Sequence, residues 1–497
     1  MTATETQSVT TTSHSMARPL LAISRWLTAV DHTRIGASMA LGAAFWLVIA
    51  GVIGAVLGVE RADVSGALVD AGALTQLFSL HRFALVFGVA APLMLGLSVW
   101  MLPAQLHASN ISLPRLASLG WWAWLAGSIT VLVSYLANGG PGGGAEQYVE
   151  LYLLALGFVL VGLAAVSVAV ATTVLTRRNG QRLADVPMSA FSALIGALGV
   201  ALTTPVAIGT VIYLWVDYVN ARVAFGGADF MDNWLGWVMR EPQTLLYVVP
   251  ALGILADAAV RTAKSRQPLR GVVLVGVGIA ATVVLSSVTQ QAHVFTVGAS
   301  PTESLQSLVP FALFNAVPLL SPLVVIGLSL LALKAGKPSL SGAFVASFLG
   351  AGMIFTGLVG SAAMHIDALS LVGTVFAEAA LVYVVYGAVL AAVGAVAMHI
   401  GTATGRALPD VPVILLSLVG VLATVLASLP HYIAGFLDQP ANVAKGYDDS
   451  GIVGVANLAV ALGHVLMVAV VALFLALVAK SRRGAPVVDR YQAQVNT

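Results

Sequence analysis

The chain has 497 residues, of which 59% are hydrophobic and 9% charged, with a formal net charge of +2 and no cysteine. Soluble domains carry about 25% charged and about 45–50% apolar residues, so a soluble multidomain chain is excluded and a polytopic membrane protein is expected. The missing cysteine excludes disulfides and thiolate metal sites, and so small a net charge gives no argument for nucleic acid.

In chain order, residues 1–25 form a polar tail without the apolar core of a signal peptide. A domain over 26–483 follows, in which apolar stretches of roughly 20 residues, enough to cross hydrocarbon, recur about twelve times. They lie near 37–59, 73–102, 117–137, 149–175, 188–219, 234–260, 271–297, 305–333, 342–364, 369–400, 411–437 and 451–479. Residues 484–497 close the chain as a second polar tail. The connectors are short and hold most of the charge, glycine and proline, as in GGPGGG (139–144), which reads as a flexible outer turn. WWAWL (121–125) reads as an interfacial aromatic anchor. With alternate crossings, eighteen Lys and Arg fall on one side; Arg61, Arg222 and Lys445 fall on the other, and Arg82 and Arg240 lie in or beside spans. This bias predicts both termini in the cytoplasm of a multi-pass protein of the cell membrane. The expected fold is an all-α membrane bundle of about twelve helices, with the lipid bilayer as its first partner.

Four stretches, WLTAVDHTRIG (26–36), LFSLHRFALVFGVAAPLM (77–94), LPAQLHASNISLPRLA (102–117) and HVFTVG (293–298), stand in this order. Together they resemble subunit I of the haem-copper oxidases, the cytochrome c oxidase family, over nearly the whole chain. The resemblance implies a low-spin haem held by two axial histidines, a high-spin haem held by one, and a copper held by three imidazoles. Of those six histidines, only His81 and His293 remain. In AEAALV (377–382) the high-spin ligand position is Glu378 and the second low-spin position is Ala380. In EPQTL (241–245) a copper histidine is replaced by Glu241 and the tyrosine linked to it by Leu245. The paired histidines of the seventh span become Ala292 and His293, and the propionate-neutralising arginines fall at His431 and Tyr432. Proton-input positions fall at Asn110 and Gln243, and LLSPL (319–323) has no lysine. Oxygen reduction by the family mechanism is not expected.

Charges inside spans are costly and face the bundle interior, where they find partners. The set here is His81, Arg82, Arg240, Glu241, His293 and Glu378. Three readings compete. In the structural one, Arg82 or Arg240 pairs with Glu378 or Glu241, and no cofactor is bound. In the second, Glu241, His293 and Glu378 hold a non-haem metal, or a single five-coordinate haem is retained on His81. In the third, the acids relay protons or bind a transported cation in the vacated cavities. His365 and Asp367 read as solvated loop residues, and His464 as an ordinary interior polar residue. The function expected is a non-catalytic subunit or assembly partner of a membrane respiratory complex, with other membrane subunits as partners. The alternatives are a redox enzyme with a remodelled metal site and a proton, ion or small-solute transporter.

Overall fold

A computed structural model describes residues 28–62, 68–224, 231–240, 242–290, 292–298, 300–443 and 451–481. Twelve helices in it are long and apolar enough to cross a membrane. They are α1 (His32–Ala62), α2 (Gly72–Gln105), α3 (Pro114–Leu136), α4 (Glu146–Thr176), α5 (Met188–Val219) and α6 (Asn233–Ala263), followed by α7 (Arg270–Thr289), α8 (Pro301–Ala335), α9 (Gly342–Met364), α10 (Phe376–Thr404), α11 (Asp410–Phe436) and α12 (Ile452–Ser481). Among the described residues there are no strands, only two isolated bridges, Phe295 with Ile366 and Thr374 with Pro440. The protein is a multi-pass membrane bundle, as its composition requires.

Sequence neighbours pack as neighbours: α3 on α4, α9 on α10, α11 on α12, and α12 back against α1. Small residues permit these close crossings, the usual device where lipid gives no hydrophobic drive between helices. A Cβ on Gly350 would lie 2.5 Å from the Gly387 carbonyl oxygen, and one on Gly387 would lie 2.6 Å from that of Gly350. Every fourth helix is central. The most apolar stretches of α2, α6 and α10 are 89%, 89% and 83% buried, against 33–61% in the other nine. The outer helices turn side chains such as Leu41, Leu202 and Leu473 outward, as a lipid-facing surface must.

Regular helix gives way where the central helices meet their neighbours. α2 widens to a π-turn over Ala84–Ala90, immediately after His81 and Arg82. α7 tightens to a 3₁₀ stretch over Ala280–Leu285, and α8 widens again over Ala312–Ala316, two residues beyond Pro310. Such irregular turns often mark functional places. The tryptophan cluster corrects an expectation here. Trp121 and Trp124 are buried and stacked at 5.3 Å. The Trp124 indole donates to the Phe87 carbonyl in the α2 π-turn at 2.8 Å. An indole buried seven to ten residues into α3 packs helices; it does not anchor an interface.

Candidate functional site

α1 ends three residues later than its apolar pattern does, which carries Arg61 into the bundle on the last helical turn. The Arg61 side chain is 1% exposed. Its Nη1 and Nη2 donate to Glu378 Oε2 and Oε1, each at 2.8 Å, the two-pronged geometry that suits a guanidinium to a carboxylate. Arg61 Nε donates to the Val443 carbonyl at 3.3 Å, and its Cζ lies 4.4 Å from the Phe78 ring centroid, within cation–π range. Glu378 stands in the first turn of α10, where the amide dipoles favour an anion.

Five more polar side chains gather around the pair. His431 Nδ1 lies 4.0 Å from Glu378 Oε2, and its Nε2 lies 3.2 Å from Asn457 Oδ1. The Asn457 amide nitrogen donates to the carbonyls of Arg61 and Val453, which fixes Oδ1 as the acceptor and makes His431 donate from Nε2. His464 Nδ1 sits 2.6 Å from the Tyr386 hydroxyl, and its ring meets that of His81 edge to face at 5.2 Å. Gly54 of α1 makes room for the imidazole, since a Cβ there would lie 2.6 Å from it. Among the described residues His81 Nε2 is buried without a hydrogen-bond partner, beside a cavity of only about 40 Å3 that Glu378, Arg82 and Arg240 also line.

A larger cavity, of about 300 Å3, adjoins this one and shares Arg82, Arg240 and Ala377 with it. His293 lines the larger cavity. Its ring stacks on Phe314 at 4.3 Å, its Nε2 lies 3.1 Å from the Thr289 hydroxyl, and Asn315 in the α8 π-turn donates to its carbonyl at 3.0 Å. Burial holds the His293 imidazole below its usual pKa. His365, expected in solvent, is 6% exposed in the cavity wall. Its Nδ1 donates to the Ser361 carbonyl at 2.8 Å. Burial lowers its pKa, with Arg240 and His293 adding to the effect and that hydrogen bond opposing it. The loop carrying both motifs is tied down by backbone bonds, Phe295 to His365 and Asp367 to Phe295.

The residues present do not fit the family's cofactors. Ala380, to which the resemblance assigns the second low-spin ligand, offers no donor and is fully buried. The about 40 Å3 at His81 is far below the roughly 300–1,000 Å3 of pockets that enclose larger ligands, so a single haem on His81 does not fit either. At the high-spin position, both oxygens of Glu378 are held by Arg61. Of the non-haem set of Glu241, His293 and Glu378, Glu378 is so engaged and His293 lines the other cavity, while Glu241 lies outside the described residues. No three His, Asp or Glu among the described residues converge as a metal site.

Sequence reasoning singled out Glu378 but missed its partner. The charge bias places Arg61 on the outer side, whereas both Glu378 oxygens take their hydrogen bonds from it rather than from Arg82 or Arg240. His464 has a defined role against Tyr386 and His81. Asn457 gave no signal beyond being a polar residue near the start of the last span.

Residues 34–476 match the family described as Cytochrome C and Quinol oxidase polypeptide I. Quinol oxidase subunit 1 of Bacillus subtilis (strain 168) is 25% identical over 295 residues, 56% of this chain and 45% of that one. Putative cytochrome c oxidase subunit 1-beta of Streptomyces avermitilis is 27% identical over 315 residues, 58% and 55% of the two chains. Probable cytochrome c oxidase subunit 1 of Bradyrhizobium diazoefficiens is 28% identical over 302 residues, 56% and 44%. The chain spans about half the length of the curated relatives it matches.

Proposed function

The chain belongs to the cytochrome c and quinol oxidase polypeptide I family, and from that premise we propose that it does not reduce oxygen and serves as a non-catalytic subunit or assembly partner of a membrane respiratory or electron-transfer complex. One observation carries the reading. At the position the family gives to the high-spin haem ligand, Glu378 is bound two-pronged by a buried arginine. A carboxylate so engaged is a structural counter-ion, and the arginine supplies inside the bundle the positive charge that a metal centre would have brought.

The former proton-input positions have structural work as well. The Asn110 side chain meets His32 at 3.1 Å and donates to the Val30 carbonyl at 3.1 Å, tying α1's entry to the loop after α2. Gln243 pairs with Ser286 at 2.8 Å and joins α6 to α7. Named relatives are subunits of quinol and cytochrome c oxidases. Those names support other membrane subunits as the partners of this chain. The lysine and arginine bias supports cytoplasmic termini in the cell membrane.

The test is a reduced-minus-oxidised absorbance spectrum of the chain purified with whatever membrane subunits accompany it, with elemental analysis for iron and copper. Haem and metal well below one per chain, together with accompanying subunits, are expected. Stoichiometric haem lost on His81→Ala overturns the proposal.

A further inference from the structure

α1 and α12 press together over the half of the bilayer that holds Arg61. Gly51, Gly54 and Gly58 permit this, and a Cβ on Gly58 would lie 2.9 Å from that of Ala461. Nearer the side on which α1 begins and α12 ends, Ala37, Ala40 and Ala44 of α1 line a recess between the two helices. Its outer chamber has a volume of about 490 Å3 and its inner slot about 90 Å3. The two run into each other, sharing Ala40, Leu41, Leu97, Val396, Phe474 and Leu475 as walls.

The back wall belongs to the central helices α2 and α10. α10 lines the recess from Val389 to Ile400, roughly 17 Å of helix and so close to half the hydrocarbon thickness of about 30 Å. The recess is as deep as one leaflet. Among the described lining residues no side chain carries a charge or a hydroxyl, so water finds no partners there. The slot's walls include Ala43, Leu47, Val89 and Val393, each buried, while Leu41 and Leu475 at the rim are exposed. An unfilled slot forfeits dispersion contacts along its whole lining. Its about 90 Å3 are spread over roughly 11 Å of depth, too narrow for a helix about 10 Å across and wide enough for one hydrocarbon chain. At the outer end, Trp100 offers an indole of the kind that sits at membrane interfaces. Lys480, exposed, follows Ala479 of the chamber wall, and a cation in that place suits a lipid phosphate.

We propose that this recess binds one phospholipid of the leaflet on that side, with an acyl chain inserted between α1 and α12 against α2 and α10 and its phosphate beside Lys480. The inserted chain carries most of the affinity, because every methylene taken out of water adds to it, and Lys480 adds a smaller part. The inference goes beyond the proposed function and does not depend on which complex the chain joins.

The test uses the full-length chain purified in detergent. Native mass spectrometry counts the phospholipid that survives repeated detergent washing. Stoichiometric retention is expected, reduced about ten-fold or more by Ala40→Phe, which intrudes on both chambers, and about five-fold by Lys480→Gln, the effect of one cation near a lipid phosphate. In parallel the wild-type chain is reconstituted with a phospholipid bearing a mid-chain diazirine and irradiated. Cross-links are expected on 89–100 of α2 or 389–400 of α10, the buried back wall of the recess. This arm decides the matter should Ala40→Phe fail to fold. Retention that survives Ala40→Phe, cross-links confined to α1 and α12, or an isoprenoid quinone extracted in the phospholipid's place overturns the proposal. So does a chain that keeps no phospholipid, as when a protein segment fills the recess. A Lys480→Gln chain that keeps its lipid as the wild type does overturns the headgroup contact. The haem spectrum is a separate readout, so failure here leaves the proposed function standing.

Discussion

Replacing Glu378 by glutamine removes one charge from a pair whose other member is nearly inaccessible. Unit charges about 4 Å apart attract by about 4 kcal/mol at an effective dielectric of 20. In the native bundle this attraction, with two charge-assisted hydrogen bonds, offsets the cost of dehydrating both groups. In the variant the attraction is lost while Arg61, 1% exposed, stays dehydrated. Breaking such a pair costs about 3–5 kcal/mol, whereas replacing both partners by apolar residues is often neutral or stabilising. We therefore expect Glu378→Gln to lower the unfolding midpoint sharply and Arg61→Met with Glu378→Leu to recover most of it. The assay is unfolding in detergent, by heat and by SDS, followed by tryptophan fluorescence. A chain of twelve helices need not unfold in two states, so the reported quantity is the difference between the double variant and the sum of the singles. Simple addition of the single losses, with coupling below about 0.5 kcal/mol, would refute the view that this pair holds α1 to α10.

Tyr386→Phe strips the hydroxyl that meets His464 Nδ1 at 2.6 Å, leaving a buried ring nitrogen without its partner. The expected loss is about 1–3 kcal/mol, visible in the same unfolding assay and largely restored when His464→Leu is added; no restoration would mean that the hydroxyl acts elsewhere. For His365, burial depresses the folded-state pKa below the ordinary value of about 6.5. The unfolded chain therefore takes up a proton that the folded one refuses. This contribution to stability is complete above about pH 6.5 and declines as the pH falls towards the folded-state value. The unfolding midpoint should drop between pH 7 and pH 5, and His365→Gln should flatten part of that slope; a midpoint that rises on acidification would contradict the argument.

Helix count and membrane class were legible because hydrophobic run length is a direct physical requirement of hydrocarbon thickness; the family was legible only through the resemblance of four short motifs. Glu378 was legible because an acid in an apolar helix needs a reason. Arg61 was not. The dipeptide Glu60–Arg61 sits where hydropathy falls, so a charge count assigns it to a loop, and only the continued turn to Ala62 shows otherwise. His365 misled in the same way: it stands beside Asp367 just past the end of an apolar span, but the bridge between Phe295 and Ile366 folds a loop over it. The role of the tryptophans depended on the π-turn that presents the Phe87 carbonyl, a departure from helix geometry that periodicity does not encode. The Arg82 and Arg240 cavity was half visible, since both residues stood out in the sequence, but their common wall is a product of tertiary packing.

The Arg61–Glu378 contact joins residues 317 positions apart. At about 5–20 residues per second, a ribosome needs roughly 15–60 s after making the first before the second exists. Through that interval the newborn first helix must keep its guanidinium near the lipid headgroups, where a long side chain can reach water. The latch closes only when the tenth helix arrives, so a nascent protein halted after nine crossings would carry an unanswered cation, a mark by which quality control could tell it from a finished one.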